Sequence, residues 1–295
     1  MDKEEESKYG SRSWYDKYWK YLFAISLLLT LSALIYLVLF YLRTGDIMHK
    51  DVALTGGTTL TIYADNDIGE VRKAFPDVTV RRLSDLQTGK QLAFSIETEK
   101  KPEEITPAIE TFLGYNLTEK NSSVEFTGSA LSKSFYKELR NALILAFLLM
   151  AVVVFFLFRT IIPSIAVIQA GFTDIIVPLA FLDLIGFRIS GAGIAAFLML
   201  IGYSVDTDIL LTNRVLRKGD VPLNKAFKSA LKTGLAMTFT SLTAVFLTFM
   251  IVKGLSPVLS EIFFILTLGL ITDMISTWFG NTGILKWYCI KKGIK

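Results

Sequence analysis

The sequence predicts a polytopic α-helical membrane protein: six transmembrane helices, with an external α+β domain of ferredoxin-like order inserted after the first. Three observations carry this expectation. Six apolar runs reach the length of about 20 residues that a helix needs to cross a hydrocarbon core about 30 Å thick. Residues 43–137 interrupt the series with polar sequence and short alternating segments. Basic residues gather beside alternate runs, the asymmetry that fixes the cytoplasmic side. Of the 295 residues, 52% are hydrophobic and 20% charged, which points to a multispanning chain.

The same inventory excludes several classes. A lone cysteine, Cys289, permits no intramolecular disulfide; among Lys286, Lys291 and Lys292 it reads as a thiol on the cytoplasmic side. The one histidine, His49, lacks Cys, His or Glu companions and reads as a surface residue, so no metal site is expected. Neither a P-loop nor a glycine-rich dinucleotide fingerprint occurs, so no cofactor is expected. The net charge of +4 is modest, and no nucleic-acid partner is expected.

In chain order, residues 1–20 form a polar, mixed-charge cytoplasmic segment and 21–42 the first transmembrane helix. A cleavable signal peptide would have a shorter apolar region of ~7–15 residues and a small-residue cleavage site. Here the run ends in Phe40-Tyr41-Leu42-Arg43, an aromatic interface anchor. The external domain, 43–137, alternates with strand period at Thr58–Ala64, Val78–Leu83, Gln91–Ile96 and Ser123–Thr127. Two helices fall between them. One runs from the N-cap Asp67 to Phe75 before Pro76; the other lies within Thr98–Leu113, opening near Pro102 and closing at Gly114. The resulting β-α-β-β-α-β order is that of a split βαβ unit. Residues 138–285 then supply a five-helix transmembrane bundle, with runs at about 139–158, 161–182, 193–212, 234–252 and 255–284. Residues 286–295 are a cytoplasmic tail. Arg159, Arg214, Arg217, Lys225, Lys228 and Lys232 fall on the side of the termini, which leaves 43–137 outside.

Four aspartates lie inside these runs: Asp174 in the third, Asp206 and Asp208 in the fourth, Asp273 in the sixth. A carboxylate at the centre of a span costs about 2.5–3.5 kcal/mol on an insertion scale. Such residues face a bundle interior or a watery cavity and mark function by default. Asp183 and Glu261 fall near membrane boundaries, where interfacial solvation accounts for them. At 3.6 residues per turn, Gly202, Asp206, Ile209 and Asn213 share one side of the fourth helix. Ser204, Asp208 and Thr212 lie about 200° round from Asp206, so the two carboxylates meet different neighbours. Thr233, Thr240, Ser241 and Thr248 line the fifth span, and Gly269, Asp273, Ser276, Thr277 and Gly280 the sixth. Stripes of small and hydroxylated residues read most simply as helix packing. The aspartates do not, and they are candidates for a protonation relay. An isolated six-span unit leaves all four short of partners, so a second membrane subunit is expected to cover part of this surface.

These residues carry a resemblance. Gly202-Tyr203-Ser204, an acidic residue, an apolar turn and Asn213-Arg214 resemble the fourth-span motif of the SecF family of protein-export subunits. Thr55-Gly56-Gly57-Thr58 resembles the glycine motif that opens the outside domain of SecF and SecD. Gly128–Ser132 with Lys137-Glu138-Leu139 resembles the entry to the second span, and Pro257-Val258-Leu259 the entry to the sixth. Ala53 departs from the usual aspartate of the glycine motif. Asp206 matches the intramembrane aspartate of SecD, while the bacterial SecF acidic position matches Thr207; the pattern is that of archaeal members. The resemblance implies one half of a resistance-nodulation-division (RND)-like fold, whose partners are a SecD-like subunit, the SecYEG channel, exported polypeptides and membrane lipids. It implies a non-enzymatic role in translocation coupled to the proton gradient.

Two other functions are compatible with the residues. One is a half-transporter of the RND superfamily that exports lipids or small molecules, although such families carry larger outside domains and both halves in one chain. The other is an intramembrane aspartyl protease using two aspartates on separate spans. The Gly-x-Gly-Asp signature of that class is absent, since the sixth span reads Leu268-Gly269-Leu270-Ile271-Thr272-Asp273. The topology itself is testable: Lys90→Cys and Lys218→Cys are expected to react with an impermeant thiol reagent from opposite sides of the membrane. Labelling of both from one side would contradict the six-span arrangement.

Overall fold

A computed structural model describes residues 14–85, 88–217, 219 and 221–294. Most of the polar segment 1–20, together with Lys218 and Lys295, lies outside the described residues. Among the described residues, six helices are long and apolar enough to cross a membrane. The first, α1 (Trp14–Thr44), starts earlier than the apolar run. Lys17 and Lys20 sit within it without breaking it, because charged side chains at an interface extend into water while their helix continues.

The chain then leaves the bundle. Asp51 caps a one-turn helix, α2 (Val52–Thr55), by accepting from Val52 N at 2.6 Å; nothing in the periodicity announces so short an element. There follow β1 (Gly57–Ile62), α3 (Ile68–Ala74), β2 (Thr79–Ser84), β3 (Gln91–Thr98), α4 (Pro102–Leu113) and β4 (Ser122–Thr127). Asp67 caps α3 through Gly69 N, and Gly114 ends α4 in the left-handed region. The sheet order is β2-β3-β1-β4 with every pair antiparallel, the ferredoxin-like arrangement. Alternate strand residues Leu60, Ile62, Phe94 and Ile96 are buried with Ile105 and Ile109 of α4, the period of two that a one-sided sheet requires.

Four more long helices follow: α5 (Ser129–Phe158), α6 (Ile161–Leu184), α7 (Gly191–Leu216) and α8 (Leu223–Val252). Arg159, in the left-handed region at φ 53°, turns α5 into α6. The sixth span has three parts: α9 (Pro257–Ile275), a π-helical segment over Ser276–Asn281, and α10 (Thr282–Lys291). Its glycines mark close approaches. A Cβ on Gly269 would lie 2.3 Å from Leu200, and one on Gly280 2.7 Å from Ser26 Oγ. Helices in lipid gain their contact energy from such packing, so the small-residue stripe of this span serves helix packing.

The α+β domain is fastened to one end of the bundle by backbone hydrogen bonds at two places. Asp51 N donates to Ile189 O, Ile189 N donates to His49 O, and Ser84 N donates to Gly254 O at 2.6 Å. Asp183 and Glu261, expected to be solvated at the boundary, are instead buried. Asp183 accepts from Tyr36 Oη and from His49 N, and His49 Nδ1 lies 2.6 Å from it. Glu261 accepts from Ser190 N at 2.7 Å and Ser190 Oγ at 2.8 Å. Each carboxylate satisfies loop donors where the chain turns over the bundle, and that requirement draws it inward. Cys289, read as a thiol on the cytoplasmic side, is buried, packed among Leu211, Val215 and Leu285.

Candidate functional site

Three of the four intramembrane aspartates converge. Asp174 of α6, Asp208 of α7 and Asp273 of α9 each offer a carboxylate oxygen within 4.8 Å of the others, and each is at most 1% exposed. Asp174 accepts from Ser204 Oγ and from Ser276 Oγ, the latter at 2.5 Å. Asp208 Oδ1 accepts from Asn281 Nδ2 at 2.7 Å. Thr277 Oγ1 lies 2.9 Å from Asp208 Oδ1 and 3.1 Å from Asp273 Oδ1. The spacing of four makes this geometry, since residues four apart lie on one face of a helix, and Thr277 and Asn281 fall in the π-helical segment. Asp273, Thr277 and Asn281 therefore all face α7. Among the described residues, no lysine or arginine pairs with any of the three carboxylates.

This corrects the expectation that all four aspartates lack partners within the chain. Three take hydroxyl and amide partners from within the chain, and Asp206 is left out. It lies on the exposed side of α7 with Gly202, Tyr203 and Asn213, while Ser204, Asp208 and Thr212 are buried, the division the helical period predicts. No heavy atom lies within 4 Å of a Cβ built on Gly202. Asp206, Asn213, Arg214 and Arg217 line a groove that Met237 of α8 closes; from Met237 it continues along Thr233, Thr240 and Ser241. Arg214 is held there by Ser229 and Thr233, its Nη1 donating to Thr233 Oγ1 at 2.7 Å. Sequence reasoning passed over Asn281, although its spacing of eight from Asp273 was a usable signal.

With this geometry in hand, comparison with known proteins is decisive. The family model "Protein export membrane protein SecD/SecF, C-terminal" matches residues 109–291. The SecF protein of Methanolacinia petrolearia is 35% identical over 279 residues, which cover 94% of this chain and 95% of that one. The chain belongs to the SecF family. The SecF of Methanocaldococcus jannaschii is 38% identical over 244 residues, covering 81% of this chain and 86% of its own. The crystal structure of SecDF from Thermus thermophilus, a translocon-associated membrane protein, superposes with a TM-score of 0.73 at 17% identity. It covers 94% of this chain, which spans 39% of the SecDF length, and at that identity the likeness is one of fold. Membership makes this a multi-pass membrane protein of the protein-export apparatus; the family is not one of known enzymes.

The glycine motif that resembles the SecF and SecD signature has a steric role. Gly56 and Gly57 adopt φ 92° and 144°; a Cβ on Gly56 would lie 2.5 Å from Ser129 Cα, and one on Gly57 2.2 Å from Thr98 O. The pair lets the start of α5 and the end of β3 close on the exit from α2. Beside it sits a second polar cluster. Arg81 of β2 donates to Asp51 Oδ2 and reaches Glu97 Oε1 of β3, both at 3.2 Å. Burial, and then the neighbouring Asp51 carboxylate, push the Glu97 carboxyl up to about 8, against the pull of Arg81. Between its ordinary 4.5 and about 8 the folded chain holds a proton here that the unfolded chain has released. The Glu97 contribution to stability therefore falls as pH rises through that window and levels off above it. Glu97→Gln, neutral throughout, is expected to flatten this part of the profile of Tm against pH, its advantage over the parent widening toward pH 8. Parallel profiles would refute the assignment.

Proposed function

We propose that this SecF-family chain pairs with a SecD-like subunit and, with SecYEG, assists exported polypeptides across the cytoplasmic membrane, drawing on the proton gradient through Asp206. The observation that carries the proposal is the exposed position of Asp206 on α7. It lies ten residues, or about 15 Å, from Leu216 at the end of the helix. Hydrocarbon is a poor solvent for such a group, whereas a second six-span unit would cover it and supply partners. The groove between α7 and α8 offers that partner hydroxyls, Asn213, Arg214 and the open space beside Gly202. The outer faces of α1 and α5, with Leu28, Leu148, Val152 and Phe156 exposed, suit lipid instead. The likeness to SecDF supports a SecD-type partner. The basic residues beside alternate spans support cytoplasmic termini and an extracytoplasmic domain at 43–137.

Asp206→Asn removes the charge and keeps the shape. It is expected to assemble normally while gradient-driven export falls by on the order of 10²-fold, the scale of a lost proton-transfer group. Gly202→Cys and Met237→Cys are expected to crosslink to the SecD-like subunit in native membranes. Normal export by Asp206→Asn across a range of imposed gradients would sink the relay, and absence of crosslinks at both positions would sink the interface.

A further inference from the structure

The buried trio carries an inference independent of Asp206. We infer that Asp174, Asp208 and Asp273, with Asn281, form a binding site for a hard cation within this chain. Three ionised carboxylates in a low-dielectric interior repel one another unless protons or a bound cation neutralise them, and no described lysine or arginine forms an ion pair with them. Hydroxyl donors do not make up the deficit. Thr277 has one proton to give but lies within hydrogen-bond distance of both Asp208 and Asp273.

Asn281 is the second, separate sign. It is 0% exposed and its Nδ2 donates to Asp208 Oδ1, which seats the amide against the cluster. Its Oδ1, like Asp208 Oδ2 and Asp273 Oδ2, has no hydrogen-bond partner. These three buried acceptors without donors belong to residues already tied to the cluster and are available to coordinate a cation. All the donor atoms are oxygen, the preference of Na+, Mg2+ and Ca2+, and the site offers none of the nitrogen or sulfur ligands that select zinc. Oxygens bound to one ion at 2.3–2.6 Å stand up to about 5 Å apart, which matches the separation within the trio. The ligands come from three spans, so an ion bound here would lock α6, α7 and α9 together.

The test is thermal unfolding of the purified full-length chain titrated separately with Na+, Mg2+ and Ca2+, with choline chloride as the ionic-strength control. The parent and Asp206→Asn are expected to gain Tm with one of these cations beyond the choline response, rising with the logarithm of its concentration once the site fills. The cation that acts identifies the ion. Asp208→Asn is expected to lose the response, and Asn281→Ala to shift its midpoint by about tenfold or more. If Asp208→Asn does not fold, equilibrium dialysis of 22Na+ or 45Ca2+ against the parent and Asn281→Ala decides. A parent that responds no more than in choline, or an Asn281→Ala midpoint equal to the parent's, would overturn the site. Either result leaves the Asp206 relay standing, because that rests on export by a different variant.

Discussion

Carboxylates removed from water need partners, and in this chain that need fixes how the spans meet. A transmembrane bundle has little hydrophobic drive to hold its helices together, since lipid tails are as apolar as leucine. Polar contacts and close packing at small residues must do it. Asp174, Asp208 and Asp273 place one carboxylate on each of three spans, and their satisfaction requires Ser204, Ser276, Thr277 and Asn281 to arrive together. The glycines of the sixth span let neighbouring helices approach closely enough for that to happen. Asp273, Thr277 and Asn281, spaced by four, share one face of this span, and the last two lie in its π-helical segment.

The same logic separates two functions on one helix. α7 turns Asp208 inward to an intrachain cluster and Asp206 outward to a groove shared with α8. The inward acid is part of what makes a six-span unit a unit. The outward acid is exposed on the bundle surface, which is why the proposed pairing and gradient coupling are placed there. At the end of the bundle, Asp51, Arg81 and Glu97 repeat the theme. There the buried charges join the α+β domain to the exit of the first span, so its attachment depends on ionisation as well as on shape.

Much of this was legible in the sequence. Apolar run length gave the spans because membrane thickness imposes it. Period-two alternation gave the four strands, and the period of 3.6 divided Asp206 from Asp208. What stayed hidden depends on tertiary approach. No one-dimensional pattern brings Asp174 of the third span to Asp273 of the sixth. Asp183 and Glu261 look like boundary residues because they are, yet loop donors from His49 and Ser190 draw them inside. Gly56 and Gly57 were visible as a motif, but the reason only glycine fits lies in Ser129 and Thr98, distant in sequence.

The central claim, that the buried acidic cluster couples the sixth span to the fourth, is tested most directly by a double-mutant cycle. Asp208→Leu and Thr277→Val are made singly and together, and the unfolding free energy of the full-length chain is measured in mixed micelles. A coupling of about 0.6 kcal/mol, and at most about 1.7, is predicted, the average and the upper limit of interhelical hydrogen bonds measured in membranes. Additivity of the two substitutions to within about 0.3 kcal/mol would contradict it.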